Sequence, residues 1–182
     1  MSATRDSPAH HWYTAALSTV ANGRPQSRTV VLRMVDIQQL LLTCHTDIRA
    51  KKVSELENSP AVQWLFWDPV EKTQLRIDAK ATIHHQNQLA EEEWARLSPL
   101  TKGNMSASLV PGSPVDSAEA GIAAYHRSKS ISPEQDRTWF EHFAVIETRV
   151  QHLEWLWLSR EGHRRASFEC AGAELKMAWL VP

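Results

Sequence analysis

A cluster of basic residues is the part of the sequence best suited to chemistry. Within HTDIRAKKVSEL, residues 45–56, the cations are Arg49, Lys51 and Lys52. The apolar spacing of the stretch predicts a short helix that begins near Thr46 or Asp47, so the cations fall in its early turns. Backbone N–H groups are unpaired there and the helix dipole is positive, so this end should disfavour cations. The pattern therefore indicates either solvated side chains, with Lys51 paired to Glu55, or a bound anion such as phosphate.

Two arginines stand on a stretch whose other residues are mostly apolar. The segment RTVVLRMVD, residues 28–36, contains Arg28 and Arg33 and has the β-branched composition of a strand. A buried guanidinium without a partner would cost several kcal/mol, so each arginine needs water, a carboxylate or a bound anion. The sequence leaves open an edge strand in solvent, a pair with Asp36 or Asp78, and a ligand.

The motifs of several common enzyme classes are absent from the sequence. The six glycines are scattered and form neither a G-x-G-x-x-G nor a P-loop, and no serine stands in a G-x-S-x-G elbow. The nine histidines lack H-E-x-x-H spacing and a cysteine partner, so we expect no metal site. Cys44 and Cys170 are far apart, which is typical of free thiols in a reducing compartment.

Length and composition indicate one globular domain over residues 1–182. The chain has 42% hydrophobic and 23% charged residues, and a domain of this length can bury a sizeable core. A formal net charge of -1 gives no indication of a nucleic-acid partner. No apolar run approaches the roughly 20 residues that span a bilayer, and the N-terminus lacks the layout of a secretory signal. We therefore expect a cytoplasmic protein that does not bind membranes.

Short strands joined by turns dominate the predicted elements. A first helix is predicted over about 8–21, between the start signal Ser7-Pro8 and the stop signal Asn22-Gly23. Further helices are predicted over 45–56, 89–97 and 118–127, and a long loop over 98–117. The predicted strands are 28–36, 39–44, 61–67, 73–84, 143–158, 165–170 and 174–180. Because β and α elements do not alternate regularly, we expect a mainly β fold of the α+β class, an antiparallel barrel with peripheral helices.

Four motifs follow one another in a specific order and spacing. They are R-T-V-V-L-R, then C-H-T-D-I-R-A-K-K-V-S-E-L-E-N-S-P, then Q-L-R-I-D-A-K-A, and a closing W…H-R-R with a terminal L-V-P. Together they resemble the pyridoxamine 5′-phosphate oxidase family over roughly residues 24–99 and 139–182. The resemblance implies a six-stranded antiparallel split barrel that binds FMN at the interface of a homodimer. It places this chain among the broader FMN-binding relatives rather than with the oxidase proper.

The resemblance also assigns FMN contacts by position. The residues concerned are Arg28, Thr29, Val30, Val31, Leu32, Arg33, His45, Thr46, Lys51, Lys52, Gln74, Trp155 and Arg165. It implies that Arg28, Lys51 and Lys52 contact the FMN phosphate, which would explain the cations at the predicted helix start. The glutamine would bond to the flavin ring, and the C-terminal tryptophan and arginine would reach that ring from the partner subunit.

The substrate half of the family's pattern is poorly kept. The resemblance places Trp94 and Lys102 where the family grips the substrate phosphate, and His163 near the substrate. Glu161 stands where the family has an arginine, and Arg33 replaces a lysine with a differently shaped cation. These departures predict that pyridoxamine 5′-phosphate is a poor substrate or none.

Three functions remain open at this point. The first is an FMN-dependent oxidoreductase with a different substrate, in which the flavin supplies the chemistry and no side chain is assigned as catalytic. The second is a non-enzymatic flavin-binding or flavin-sensing dimer. The third is a barrel that has lost flavin and binds another planar ligand or a partner protein.

Overall fold

The structure, a computed structural model, describes residues 10–116, 130–171 and 174–182. The strands of this part of the chain are β1 (Thr14–Ala21), β2 (Arg24–Asp36), β3 (Leu41–Asp47), β4 (Ala61–Asp68), β5 (Thr73–His84), β6 (Phe143–Trp157), β7 (Arg164–Ala171) and β8 (Glu174–Leu180). The α-helices are α1 (Lys51–Asn58), α2 (Gln88–Ala95), α3 (Pro99–Lys102) and α4 (Pro133–Phe140). Two single 3-10 turns lie at His11–Tyr13 and Gly103–Met105.

The strands form one continuous sheet that closes on itself. Their order is β3-β2-β1-β4-β5-β6-β7-β8, and β3 also pairs with β6. The six strands from β1 to β6 thus make a closed antiparallel barrel, and β7 and β8 continue the sheet beyond β6. This confirms the predicted mainly β fold, the six-stranded barrel and the peripheral helices.

The predicted first helix is wrong, because residues 14–21 form the strand β1. This strand pairs antiparallel with β2, and Ala21 faces Arg24 across a two-residue turn made by Asn22 and Gly23. Both turn residues have positive φ, 51° and 73°, which a tight primed hairpin turn requires. Asn-Gly is the strongest short hairpin signal, and its interpretation as a helix stop is therefore wrong. The proposed start signal Ser7-Pro8 lies outside the described residues.

Most of the other predicted elements are confirmed, with shifted ends. The strand over 73–84 matches β5, whereas the helix predicted over 45–56 begins only at Lys51. Helix α4 was missed although its start has a full capping box, in which Ser132 and Gln135 each cap the other's backbone N–H. The long loop contains α3 and a 3-10 turn in its described part, residues 98–116. The helix predicted over 118–127 lies outside the described residues.

The described residues group into two compact units. Unit 1 comprises the described parts of Met1–Cys44, Glu55–Thr82 and Glu147–Pro182, and unit 2 comprises those of His45–Ser54 and Ile83–Ile146. In unit 1 the fully buried Trp64 donates its Nε1–H to Thr148 Oγ1 at 3.1 Å. The core of unit 2 is made by Ala90, Trp94, Trp139, Phe143 and Val145. In the part of the chain that the structure describes, no helix is both long and apolar enough to cross a bilayer.

Candidate functional site

One of the three cations near the start of α1 is neutralised by its own neighbour. The Asp47 carboxylate accepts from the backbone N–H of Arg49 at 2.8 Å, and from its guanidinium Nε at 3.0 Å and NH2 at 2.7 Å. This hydrogen bonding raises the pKa of Arg49 further above its ordinary value. Arg49 also donates to the carbonyls of Ala107 at 2.8 Å and Ser108 at 3.3 Å. Arg49 therefore anchors the loop that follows α3, with its charge offset by Asp47.

The two lysines that begin α1 are arranged differently. Lys52 Nζ donates to Thr46 Oγ1 at 2.9 Å, and Lys51 is exposed with no ion pair to any residue that the structure describes. The first turn of α1 holds no acidic residue. We call Thr46, Lys51 and Lys52 the β3–α1 corner. A hydroxyl, two ammonium groups and a positive helix end make this corner fit for a terminal phosphate.

Arg28 has an internal partner. Its guanidinium donates to Glu55 Oε2 at 2.8 Å and to Thr19 Oγ1 at 2.5 Å, and the Thr19 hydroxyl in turn donates to Glu55 Oε2 at 2.5 Å. Because Arg28 is half-buried and paired with Glu55, the alternative in which this arginine stands in solvent is wrong. The pair with Asp36 or Asp78 is not formed by Arg28 either. If Arg28 also bound a phosphate, its guanidinium would have to contact the phosphate and the Glu55 carboxylate at the same time.

Arg33 sits at an irregularity of the barrel. Leu32 faces Cys44 and Met34 faces Thr43, so the register of β2 against β3 shifts at Arg33 as in a β-bulge. The Nε of Arg33 and the Oγ1 of Thr43 are buried without a hydrogen-bond partner among the described residues. Such atoms cost about 1–3 kcal/mol each unless a ligand or water meets them. Thr43 was missed by the sequence analysis, although a lone threonine in the apolar run Leu41–Cys44 was a signal.

The backbone positions expected along FMN lie on β2. The residues are Thr29, Val30, Val31 and Leu32, of which the first is exposed and the second and fourth are buried. The first three face β1 across the sheet, and Leu32 faces β3. Pairing with β1 over residues 29–31 and with β3 at Leu32 holds this segment in the sheet, and a ligand wall requires such a fixed backbone.

His45 is packed against protein groups. Its side chain is 6% exposed, and its Nε2 lies 3.4 Å from Glu93 Oε2. The ring also meets Phe143 edge-on, with centroids 4.9 Å apart. The hydrogen bond with His45 is the main reason that the pKa of Glu93 lies below its ordinary value. Glu93 was not singled out from the sequence, where it is one of three successive glutamates.

The C-terminal arginine is held by a carboxylate that bridges two cations. Glu154 Oε2 accepts from Arg165 Nε at 2.9 Å and from its NH2, while Oε1 accepts from Arg76 NH2 at 2.6 Å. We call these three residues the Glu154 triad. Burial alone raises the pKa of Glu154, but the hydrogen bonds and charges of Arg165 and Arg76 outweigh it and leave the pKa lowered. The triad orients Arg165 before any ligand binds.

Gln74 and Trp155 are the two other residues expected to contact the flavin ring, and fewer described contacts hold them than hold Arg165. Gln74 is half-buried on β5 and faces Trp67 across the strand pair. Trp155 is half-buried on β6, faces Ala166, and its ring lies edge-on to Trp179 with centroids 6.5 Å apart. Both are on strands, where rigid backbone fixes the position of a contact.

The residues expected near the substrate are engaged elsewhere. Trp94 is 5% exposed and belongs to the core of unit 2, and its Nε1 donates to Asp136 at 3.2 Å. Lys102 Nζ donates to the same Asp136 oxygen at 2.7 Å and stacks over the Trp94 ring at 4.8 Å from its centroid. His163 is exposed in the turn before β7, where its Nδ1 accepts from the N–H of Ser159. Among the described residues, no group of three or more His, Cys, Asp and Glu side chains could hold a metal ion.

Known proteins resemble this chain in sequence. Residues 1–85 match the family model described as pyridoxamine 5′-phosphate oxidase, FMN-binding domain. The matched segment is less than half of the chain, and over that segment the chain is similar to the FMN-binding domain. A curated relative, pyridoxine/pyridoxamine 5′-phosphate oxidase 2 of Arabidopsis thaliana, is 29% identical over 119 residues, which are 62% of this chain and 60% of the plant protein. Because the matched domain binds FMN, the expected cofactor is confirmed.

Two solved structures share the fold. A pyridoxamine 5′-phosphate oxidase-related, FMN-binding protein of Nostoc punctiforme has a TM-score of 0.78 and 20% identity, over 98% of this chain and 92% of its own. PhzG of Burkholderia lata, solved in complex with tetrahydrophenazine-1-carboxylic acid, has a TM-score of 0.74 and 20% identity, over 95% of this chain and 84% of its own. At this identity the likeness concerns the fold alone.

The Glu154 triad predicts a pH-dependent contribution to stability. Glu154→Gln removes the charge that faces Arg76 and Arg165, so we expect it to lower the free energy of unfolding by about 1–3 kcal/mol at pH 7. The folded-state pKa of Glu154 is lowered, so its contribution is present above its ordinary pKa of 4.5 and lost as pH falls through the folded value. Urea unfolding at pH 7 and pH 3 would measure both, with the exposed Glu57→Gln as the matched control. An equal loss at the two pH values would contradict this account.

Proposed function

We propose that the protein is an FMN-dependent oxidoreductase in which the β3–α1 corner holds the cofactor phosphate. The observation that carries this proposal is the start of α1, where Lys51 and Lys52 stand in a first turn without an acid and Lys52 donates to the Thr46 hydroxyl at 2.9 Å. The family match supports it, since residues 1–85 include this corner. When bound, FMN supplies hydride transfer, which protein side chains cannot.

The chain's own residues provide binding and orientation. A phosphate at the corner would receive charge-assisted hydrogen bonds from the two lysines, each worth about 1.5–3 kcal/mol. The bulge at Arg33 leaves the buried Nε as a hydrogen-bond donor without a described partner, suited to an acceptor on the ligand. Glu154 holds Arg165 in one orientation, so that this arginine would meet a flavin as a preorganised donor. The corner suits one terminal phosphate, which favours FMN over FAD.

Variants of the β3–α1 corner should change the affinity for FMN without lowering the stability of the fold. Lys51→Ala/Lys52→Ala should weaken FMN binding by about a hundredfold or more, since two charge-assisted contacts are lost. The apo-protein should melt at the same temperature or slightly higher, because these cations oppose the helix dipole. The matched control is Lys80→Ala/Lys176→Ala, which removes two exposed lysines from strands of unit 1. Flavin titration and apo melting would measure both effects, and unchanged FMN affinity would place the phosphate elsewhere.

The substrate we propose is not pyridoxamine 5′-phosphate. The Lys102 ammonium already meets Asp136, and Trp94 is buried in the core of unit 2. A dianionic substrate would need cations that are free to meet it, and Glu161 adds a negative charge in the exposed turn before β7. We therefore infer that the protein acts on a different molecule. The plant relative is named for its oxidase activity, which supports the reaction class and leaves this chain's substrate to experiment.

We expect the FMN-loaded protein to be reduced only slowly by pyridoxamine 5′-phosphate. Anaerobic stopped-flow mixing, followed by flavin absorbance, would measure this reduction and that by a panel of other amines, alcohols and reduced nicotinamides. Reduction by one of the panel would support an oxidoreductase. If none reduces the flavin, the second candidate, a flavin-binding dimer without turnover, is favoured, because the substrate-position residues are engaged with Asp136. Rapid reduction by micromolar pyridoxamine 5′-phosphate would refute the proposal on substrate.

We also propose a homodimer. Strand β8 ends the sheet and pairs only with β7 among the described strands. Its Leu175, Met177 and Trp179 are 60%, 54% and 66% exposed, and they alternate along the strand so that they share one face. A continuous apolar row of this kind is typical of a surface covered by another chain.

The dimer predicts a mass in solution of about twice 20.7 kDa. Light scattering after size exclusion would measure it for the wild type and for Met177→Lys/Trp179→Glu, which should shift the protein toward the monomer. Val70→Glu is the matched control, because Val70 is 71% exposed in the β4–β5 turn and distant in sequence from β8. A monomeric wild type that retains its flavin would exclude the dimer.

A further inference from the structure

Part of the loop after α3, residues 105–113, runs beside the start of α1 within unit 2. It has no helix or strand of its own after the 3-10 turn that ends at Met105. His142 fixes its first residue, since the imidazole Nδ1 donates to the Met105 carbonyl at 2.8 Å. The segment ends in a tight turn, closed by a bond of 3.0 Å from the N–H of Ser113 to the carbonyl of Val110. Side-chain and backbone hydrogen bonds thus fix both ends of the segment.

The sequence V-P-G-S, residues 110–113, accounts for the shape of this turn. Pro111 takes the second position, which suits its fixed φ, and Gly112 takes the third with φ of 88°. A proline followed by a residue of positive φ is typical of a type II turn, in which the third position favours glycine. A Cβ built on Gly112 would lie 4.0 Å from Lys51 Cε. The backbone of the turn therefore stands beside the end of a lysine stem of the β3–α1 corner.

Arg49 holds the middle of the segment. A guanidinium carries five N–H donors in one plane. Asp47 accepts from Nε and NH2 of Arg49, and the carbonyls of Ala107 and Ser108 accept from NH2 at 2.8 Å and NH1 at 3.3 Å. Four of the five donors are thus engaged, one on Nε, two on NH2 and one on NH1. This arrangement suits Arg49 to hold the segment rather than to bind a phosphate itself.

We propose that Arg49 is a positioning residue of the cofactor site. By holding residues 105–113, it keeps the turn at Gly112 against Lys51, which closes one side of the β3–α1 corner and slows the release of FMN. A flexible lysine loses rotamer entropy when it binds a phosphate, and a neighbouring backbone reduces the freedom that it has to lose. This inference rests on the phosphate position proposed above.

The variant Arg49→Lys separates positioning from charge. It keeps the positive charge, but an ammonium lacks the planar fork that bonds Asp47 and two carbonyls at once. We expect isotopically labelled FMN to replace the bound FMN about tenfold faster than in the wild type, because the charge-assisted bonds that order the segment are lost. Riboflavin lacks the phosphate, so its affinity should change by less than about twofold. Exchange as slow as in the wild type, or an equal loss of affinity for riboflavin, would overturn the proposal.

A second variant acts on the turn alone. Gly112→Ala places a side chain at a φ of 88° without a clash, so it strains the turn and should also speed FMN exchange. The matched control is Gly23→Ala, which makes the same change at a φ of 73° in the turn between β1 and β2 and should exchange FMN as the wild type does. Because Arg49→Lys and Gly112→Ala act through one segment, their effects should be less than additive. Equal acceleration by Gly23→Ala would contradict a local role for the turn.

The segment can also be followed in the apo-protein. Leu109 is 49% exposed, and thermolysin cleaves on the N-terminal side of such apolar residues. We expect Arg49→Lys to be cut there several-fold sooner than the wild type, as mass spectrometry of the fragments would show. If Lys51→Ala/Lys52→Ala keeps its affinity for FMN, the phosphate position is wrong and the proposed function loses its support. If that variant loses FMN while Arg49→Lys neither exchanges FMN faster nor is cut sooner, the present inference alone fails.

Discussion

Closure of the barrel between β3 and β6 is the constraint on which the rest of the structure depends. At this junction the fully buried Thr148 hydroxyl accepts from Trp64 Nε1 and donates to the Leu42 carbonyl at 2.9 Å. One side chain thereby links strands β4, β6 and β3 inside an apolar core, where an unsatisfied polar group would cost about 1–3 kcal/mol. Without this closure, β3 would expose an unpaired edge.

Two features of the candidate site adjoin strand β3. Along the chain, β3 continues directly into the β3–α1 corner, which contains Thr46, Lys51 and Lys52. The bulge opposite β3 turns one residue of β2 out of register and leaves the Nε of Arg33 buried. Both features depend on β3 being held, because a strand that slipped by one residue would reverse the faces of all its side chains.

The arginines and lysines of the described residues are used in different ways. Arg28, Arg49 and Arg165 each have a carboxylate partner close in the structure, namely Glu55, Asp47 and Glu154. A guanidinium presents several donors in a rigid plane, so it suits such fixed pairs inside a protein. Lys51 is instead exposed and makes no described ion pair, and its compact charge on a flexible stem suits a phosphate that comes and goes. The family match to an FMN-binding domain agrees with this division.

The sequence alone determined the antiparallel barrel, most of its strands, and the resemblance to an FMN-binding domain. Those features rest on local periodicity and on the order of short motifs, as in β5, which begins and ends where its alternation does. It did not determine β1, because the apolar pattern before Asn22-Gly23 is compatible with a helix until β2 is available to pair with it. Nor could the sequence show which carboxylate pairs with which base, because the two members of each pair are separated in the chain. The pairs are Glu55 with Arg28, Glu93 with His45, Glu154 with Arg165 and Asp136 with Lys102. Pairing and packing over long distances in the chain decide such features, and only the tertiary structure contains them.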